Sequence, residues 1–276
     1  MRIRFTPLLL CGLAILAGCS HLATTHGPAF TAGARHALLP ADVLLLGEEH
    51  DAPEHQQWEK NTVQWLAQRG QLAALVLEMA EQGRSTQGLA PDASEAAVQK
   101  ALFWNDSAWP WAAYAPVAMA AVRAGVPVLG GNLPRKQLNV ATTDTALDAQ
   151  LPEPARQRQQ EAVRAGHCDL LPVKMLPGMV RVQIARDISL AQTAAQAHQP
   201  HQVVVVVAGA GHVKRSLGIP RHLPENLVTK VALAQAGQAQ EAIENEADWI
   251  QETPALPPQD ACALLRQQWP GKGAKP

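Results

Sequence analysis

"QVVVVVAGAGH", residues Gln202 to His212, decides how the rest of the chain is read. Five consecutive valines leave no polar face, so the segment suits a strand buried on both sides. Strands of that kind belong to parallel sheets with helices over each face. Working outward, "DVLLLG" (42–47), "LAALVLEM" (72–79) and "VPVLGGN" (126–132) read as three earlier strands. "LVTKVALAQ" (227–235) reads as a fifth, and "ADWIQETP" (247–254) as an edge strand closed by Pro254, Pro257 and Pro258. Helical patterns lie between them. One covers 54–70, with Trp58, Trp65 and Leu66 on one side and Gly70 as its stop. Another contains Trp104, Trp109 and Trp111. A polar, Ala- and Gln-rich region runs from about 142 to 166, a long helix from about 178 to 198, and a short one over 258–269. Strands alternating with helices predict an α/β fold with a mostly parallel central sheet flanked by helices.

The first 18 residues read as a targeting segment. Arg2 and Arg4 precede the apolar "PLLLCGLAILAG", which is too short for a membrane span. The run ends in Leu16-Ala17-Gly18-Cys19, which resembles a bacterial lipobox. The resemblance implies cleavage before Cys19, acylation of its thiol and a firm lipid anchor. Ser20 rather than Asp favours the outer membrane. Residues 19–38 then read as the lipidated terminus and a tether, 39–270 as a single domain and 271–276 as a loose tail.

Cleavage would leave 258 of 276 residues and, with Arg2 and Arg4 gone, shift the formal charge from −1 to −3. That balance gives no argument for nucleic acid or an anionic surface, and no nucleic-acid partner is expected. Two cysteines remain, Cys168 and Cys262. In an oxidising compartment they could pair, or they could be two inert buried thiols.

Ligands of open α/β sheets bind outside the carboxyl ends of the strands. There the chain places Glu48, Glu49 and His50 after the first strand, Glu78 near the end of the second, Asn132 and Arg135 after the third, and His212, Lys214 and Arg215 after the fourth. Turn chemistry alone would more often supply Gly, Asp or Ser. Two of these ends share a Gly-x-x-His pattern, Gly47 to His50 and Gly209 to His212. Each glycine is expected to turn the chain tightly off its strand. Two imidazoles and several carboxylates together could bind a divalent metal or act as acid and base. Gln183, Arg186 and Asp187 share a helix face and either brace the histidines or form an exposed pair. Tyr114, the only tyrosine, lies in "WPWAAYAPV". On its physics it is a core residue whose hydroxyl reaches a partner, although phenolate is also a haem-iron ligand type.

The ordered set "VLLLGEEHDAPEHQQWE", "LVLEM", "WAAYAPV", "VPVLGGNLPR", "HCDLLP", "MVRVQIARDISLA" and "AGAGHVKRSLGIPRHLP" resembles the ChaN-type haem-binding lipoproteins of iron-acquisition loci. These are grouped with Tiki and erythromycin-esterase-like proteins by the same paired motif. The resemblance spans about residues 40 to 235. It implies haem held through a tyrosine, here Tyr114, with His50 and His212 as further candidates. Lys214, Arg215 and Arg135 would hold propionates. It also implies monomers paired around cofacial haems, and a haem receptor or transporter as partner. The alternative function is a metal-dependent or Glu/His-assisted hydrolase of an ester or peptide bond. It would use Glu48, Glu49, His50, Glu78 and His212.

Overall fold

The computed structural model describes residues 28–237, 245–258 and 260–268. The expected signal segment, Cys19 and the expected tail 271–276 lie outside the described residues. The chain enters through α1 (Ala32–Leu38), β1 (Val43–Glu48), α2 (Pro53–Ala67) and β2 (Leu72–Glu81). It continues through α3 (Glu95–Leu102), α4 (Trp111–Arg123), β3 (Val128–Asn132), α5 (Leu138–Thr143), α6 (Glu153–Gly166) and α7 (Leu176–Ala197). Then come the valine strand β4 (Val203–Gly209), α8 (Ala210–Val213), β5 (Thr229–Ala236), β6 (Trp249–Thr253) and a C-terminal helix, Ala261–Gln268.

The six strands form one sheet in the order β3-β2-β4-β1-β5-β6, every neighbouring pair parallel. β4 runs between β1 and β2 with all seven residues buried. Val203, Val205 and Val207 join one core with Leu44 and Leu46; Val204 and Val206 join the other with Val43 and Leu45. The valine run lacks alternation because both of its faces are interior. Each buried valine stabilises the fold by about 1.5–3 kcal/mol.

The chain steps from β1 to β2 to β3 in one direction across the sheet, then returns from β3 through β4 and β5 to β6. Right-handed crossovers place the helices of these two directions on opposite faces. α1 to α4 therefore cover the first core, and α7 and α8 the second. α5 and α6 pack outside on α7. Because the sheet is parallel, all strands end on the same side. β1, β4 and β2, adjacent in the sheet, deliver the residues of both Gly-x-x-His segments and Glu78 to one crevice.

Four local expectations are corrected or settled. Residues 32–38 are helical rather than tether: the Thr31 hydroxyl accepts the Ala34 N–H, and Ala34 and Leu38 are buried. The polar stretch 142–166 is broken, with α6 starting only after Pro152. The two motif glycines do not turn the chain through left-handed backbone. Gly47 stays in strand register, where a Cβ would sit 2.3 Å from Val213 Cγ2, so its role is close packing. Cys168 and Cys262 form a disulfide that ties the turn after α6 to the C-terminal helix.

Candidate functional site

β1 ends in Glu48, which points into the core beneath α2 and α4 and is 2% exposed. Its Oε1 accepts the Tyr114 hydroxyl at 2.8 Å and lies 2.8 Å from His50 Nδ1. The same hydroxyl is 3.2 Å from His50 Nδ1. From α2 the fully buried Glu59 carboxyl faces Glu48; neither Glu59 oxygen nor Glu48 Oε2 has another partner. Burial and the neighbouring Glu48 push Glu59 well above the usual carboxylate range. A protonated Glu59 can donate to Glu48 Oε2, which leaves one Glu59 oxygen without a partner. Tyr114 is likewise held protonated, first by burial and then by Glu48. The turn carrying His50 is fastened by Gln56 Nε2, which donates to the His50 carbonyl at 2.8 Å.

β2 delivers Glu78, 2% exposed, between the two histidines. Its Oε2 accepts the Gly209 N–H at 2.8 Å and lies 3.8 Å from His50 Nε2; its Oε1 is 3.4 Å from His212 Nε2. A Cβ on Gly209 would stand 2.8 Å from His50 Nε2, so this glycine lets the imidazole approach the strand end. On the far side His212 Nδ1 is 2.6 Å from Asp187 Oδ1. Burial alone would raise Glu78, yet His212, His50 and the Gly209 N–H hold it well below the usual range. Burial would lower His212, but Glu78 and Asp187 override it and raise it to about 10. Burial raises Asp187 to about 6 against the pull of His212. His50 is raised too: burial opposes, but Glu48 and Glu78 outweigh it. The result is an ionised carboxylate bracketed by two imidazoles, each with its own carboxylate behind it.

His55 is a structural neighbour. The Glu49 N–H donates to its Nδ1 at 3.0 Å, so Nε2 donates to Thr253 Oγ1 at 2.9 Å, joining the end of β1 to β6. Burial lowers its pKa from 6.5 to about 4, and lowers His222 likewise. A depressed histidine adds stability present above about pH 6.5 and lost as the pH falls to about 4. The raised His212 adds stability present below its unfolded value of 6.5 and lost as the pH rises toward about 10. Tm measured against pH should therefore peak near neutrality and fall on both sides; a Tm still rising from pH 7 to 9 would contradict the charged His212.

Outside Glu78, a cleft of about 350 Å³ opens between β2, β3 and α7, lined among others by Trp109, Phe103, Asn132, Arg135 and Arg186. His50 stands beside it, edge-on to Trp109 at 4.7 Å between ring centroids. The expected residues thus divide. Glu48, His50, Glu78 and His212 come together; of these Glu78 lines the cleft, as does Arg135. Glu49 contributes its backbone to His55 and has no side-chain contact with the cluster. Arg215 is taken out by an ion pair to Asp248, just before β6, and Lys214 does not line the cleft. Tyr114 meets the site from below, its oxygen buried and committed to Glu48. Of the α7 triplet, Asp187 braces His212. Among the described residues no three His, Cys, Asp or Glu side chains are placed to hold a metal ion. Sequence reasoning missed Glu59 and His55. Their signal was present: 55, 59 and 62 recur at helical spacing on α2 and are buried beside Trp58 and Val63.

Residues 35–223 match the family model described as "Haem-binding uptake, Tiki superfamily, ChaN". Among solved structures, one described as cofacial heme binding to ChaN of Campylobacter jejuni aligns over 76% of this chain and 86% of that one, at 21% identity and a TM-score of 0.62. The type III effector HopBA1 aligns over 78% and 88%, at 13% identity and a TM-score of 0.42. A Bacillus cereus protein aligns over 74% and 68%, at 12% and 0.42. A search of curated proteins finds no match.

Proposed function

The chain belongs to the ChaN haem-binding uptake family of the Tiki superfamily, and from that premise we propose that it binds haem at the cleft beside Glu78, for uptake at the cell envelope. The donor set of the cleft fits such a ligand. Phe103, 72% exposed, and Trp109 offer flat apolar faces, and Arg135 offers a cation to a propionate. The observation that carries the reading is His50, whose half-exposed imidazole stands against Trp109. With Nδ1–H donated to Glu48, its Nε2 makes no hydrogen bond and faces Glu78 Oε2 only at 3.8 Å, so it is the nitrogen a metal would take, with a carboxylate behind the ring as metal-bound histidines commonly have. Tyr114 fits poorly as the ligand: it is 1% exposed, and its hydroxyl, turned away from the cleft, would have to leave its bond to Glu48 to reach an iron there. We therefore assign the iron to His50 and give Tyr114 the task of fixing, with Glu48, the orientation of that ring. Bound haem would supply the iron and a visible chromophore; the chain supplies orientation and a water-poor wall.

Hydrolysis is less well supported. Glu78 is ionised, as a base must be, but the Gly209 N–H and the His212 imidazole already engage its oxygens. The mature domain purified from haem-fed cells should show a Soret band and a matching iron content. A preparation with neither overturns the proposal.

The envelope location rests on the Cys19 motif, and the Cys168–Cys262 disulfide suits an oxidising compartment. Cys19→Ser is expected to move the protein from the membrane pellet to the soluble fraction; a variant that stays in the pellet counts against the lipid anchor. A second copy of the chain would cover the exposed Phe103 at the cleft mouth, which is the support for pairing.

A further inference from the structure

Two guanidiniums at the cleft are unspent. Among the described residues neither Arg186 nor Arg135 has a carboxylate within ion-pair distance, and Arg186 Nε is buried without a hydrogen bond. A buried donor left unpaired is costly, so its native partner is expected to come from outside the chain. Asp187, next in sequence, feels the Arg186 charge but makes no ion pair with it, because its carboxylate is turned to His212. The acidic groups lining the cleft are engaged as well. Glu78 is held by the histidines and Gly209, and Glu81 Oε1 accepts the Arg135 backbone N–H at 3.0 Å. Asn132 presents an amide to the same space.

We propose that Arg186, with Arg135 beside it, is a receptor for one carboxylate of the bound ligand, so that the cleft selects an anionic planar molecule over its neutral counterpart. The proposal rests on the haem reading, which supplies that carboxylate as a propionate; it assigns a role to Arg186, which that reading leaves idle. The planar fork of arginine matches a carboxylate with two parallel hydrogen bonds, stronger than neutral ones.

The test titrates the mature protein at the Soret band with hemin and, separately, with hemin dimethyl ester. The wild type should prefer the free acid by about tenfold or more, the equivalent of one charge-assisted hydrogen bond. Arg186→Met should remove that preference by weakening hemin alone, and Arg186→Lys should restore part of it. Equal binding of both ligands by the wild type overturns the carboxylate receptor while leaving the haem reading intact, and needs no variant to fold. An Arg186→Met protein that keeps the wild-type preference also overturns it. Failure of both ligands to bind overturns the haem reading and this proposal together.

Discussion

Glu78→Gln is expected to lower the stability of the fold by about 3–5 kcal/mol, the range seen when one partner of a buried ion pair is removed. Glu78 is nearly inaccessible and, with Asp187, keeps His212 charged. The amide leaves an imidazolium with Asp187 alone, and it offers the Gly209 N–H only a neutral acceptor. The His212 pKa should fall from about 10, and the gap between wild type and variant should narrow as the pH rises toward that value. Urea unfolding at several pH values measures both. A loss below about 1 kcal/mol at pH 7, on the scale of an exposed pair, would mean that the Glu78–His212 interaction is not formed as described.

Cys262→Ser is expected to cost about as much, roughly 4–5 kcal/mol in the chain-entropy model for a loop of this size. The bond closes a separation of 94 residues that contains α7, β4, β5 and β6. Its loss should act mainly through the unfolded chain, so the site itself, built on β1, β2, β4 and α7, should survive below the new melting point. Denaturation with and without reductant is the comparison to make. Equal midpoints would show that the disulfide adds nothing, and loss of the site in the folded variant would show that it holds the cleft.

The two-sided burial of β4 was legible because five valines without alternation have no other comfortable setting. Its place between β1 and β2 was not, since strand order is set by crossovers that leave no local mark. Gly47 and Gly209 were recognised as special for the wrong reason: sequence cannot separate a glycine that turns the chain from one that makes room for Val213 or His50. Arg215 was drawn to the site by its neighbour His212, but its partner, Asp248, lies 33 residues on. Glu59 went unread because α2 was judged by its apolar side. α1 went unread because a seven-residue helix shows less than two full turns of period. The strand-end residues were legible as a set because a parallel sheet delivers every carboxyl end to one side.

Tyr114 and His50 share one carboxylate, and the assignment of the iron turns on which of them is free. The most direct measurement is a hemin titration of the purified protein at the Soret band, with the wild type beside His50→Ala and Tyr114→Phe. Saturable binding is expected in the wild type, a band retained in Tyr114→Phe with altered affinity, and loss or displacement of the band in His50→Ala. A band unchanged in His50→Ala and abolished in Tyr114→Phe would contradict that expectation and return the iron to the tyrosine.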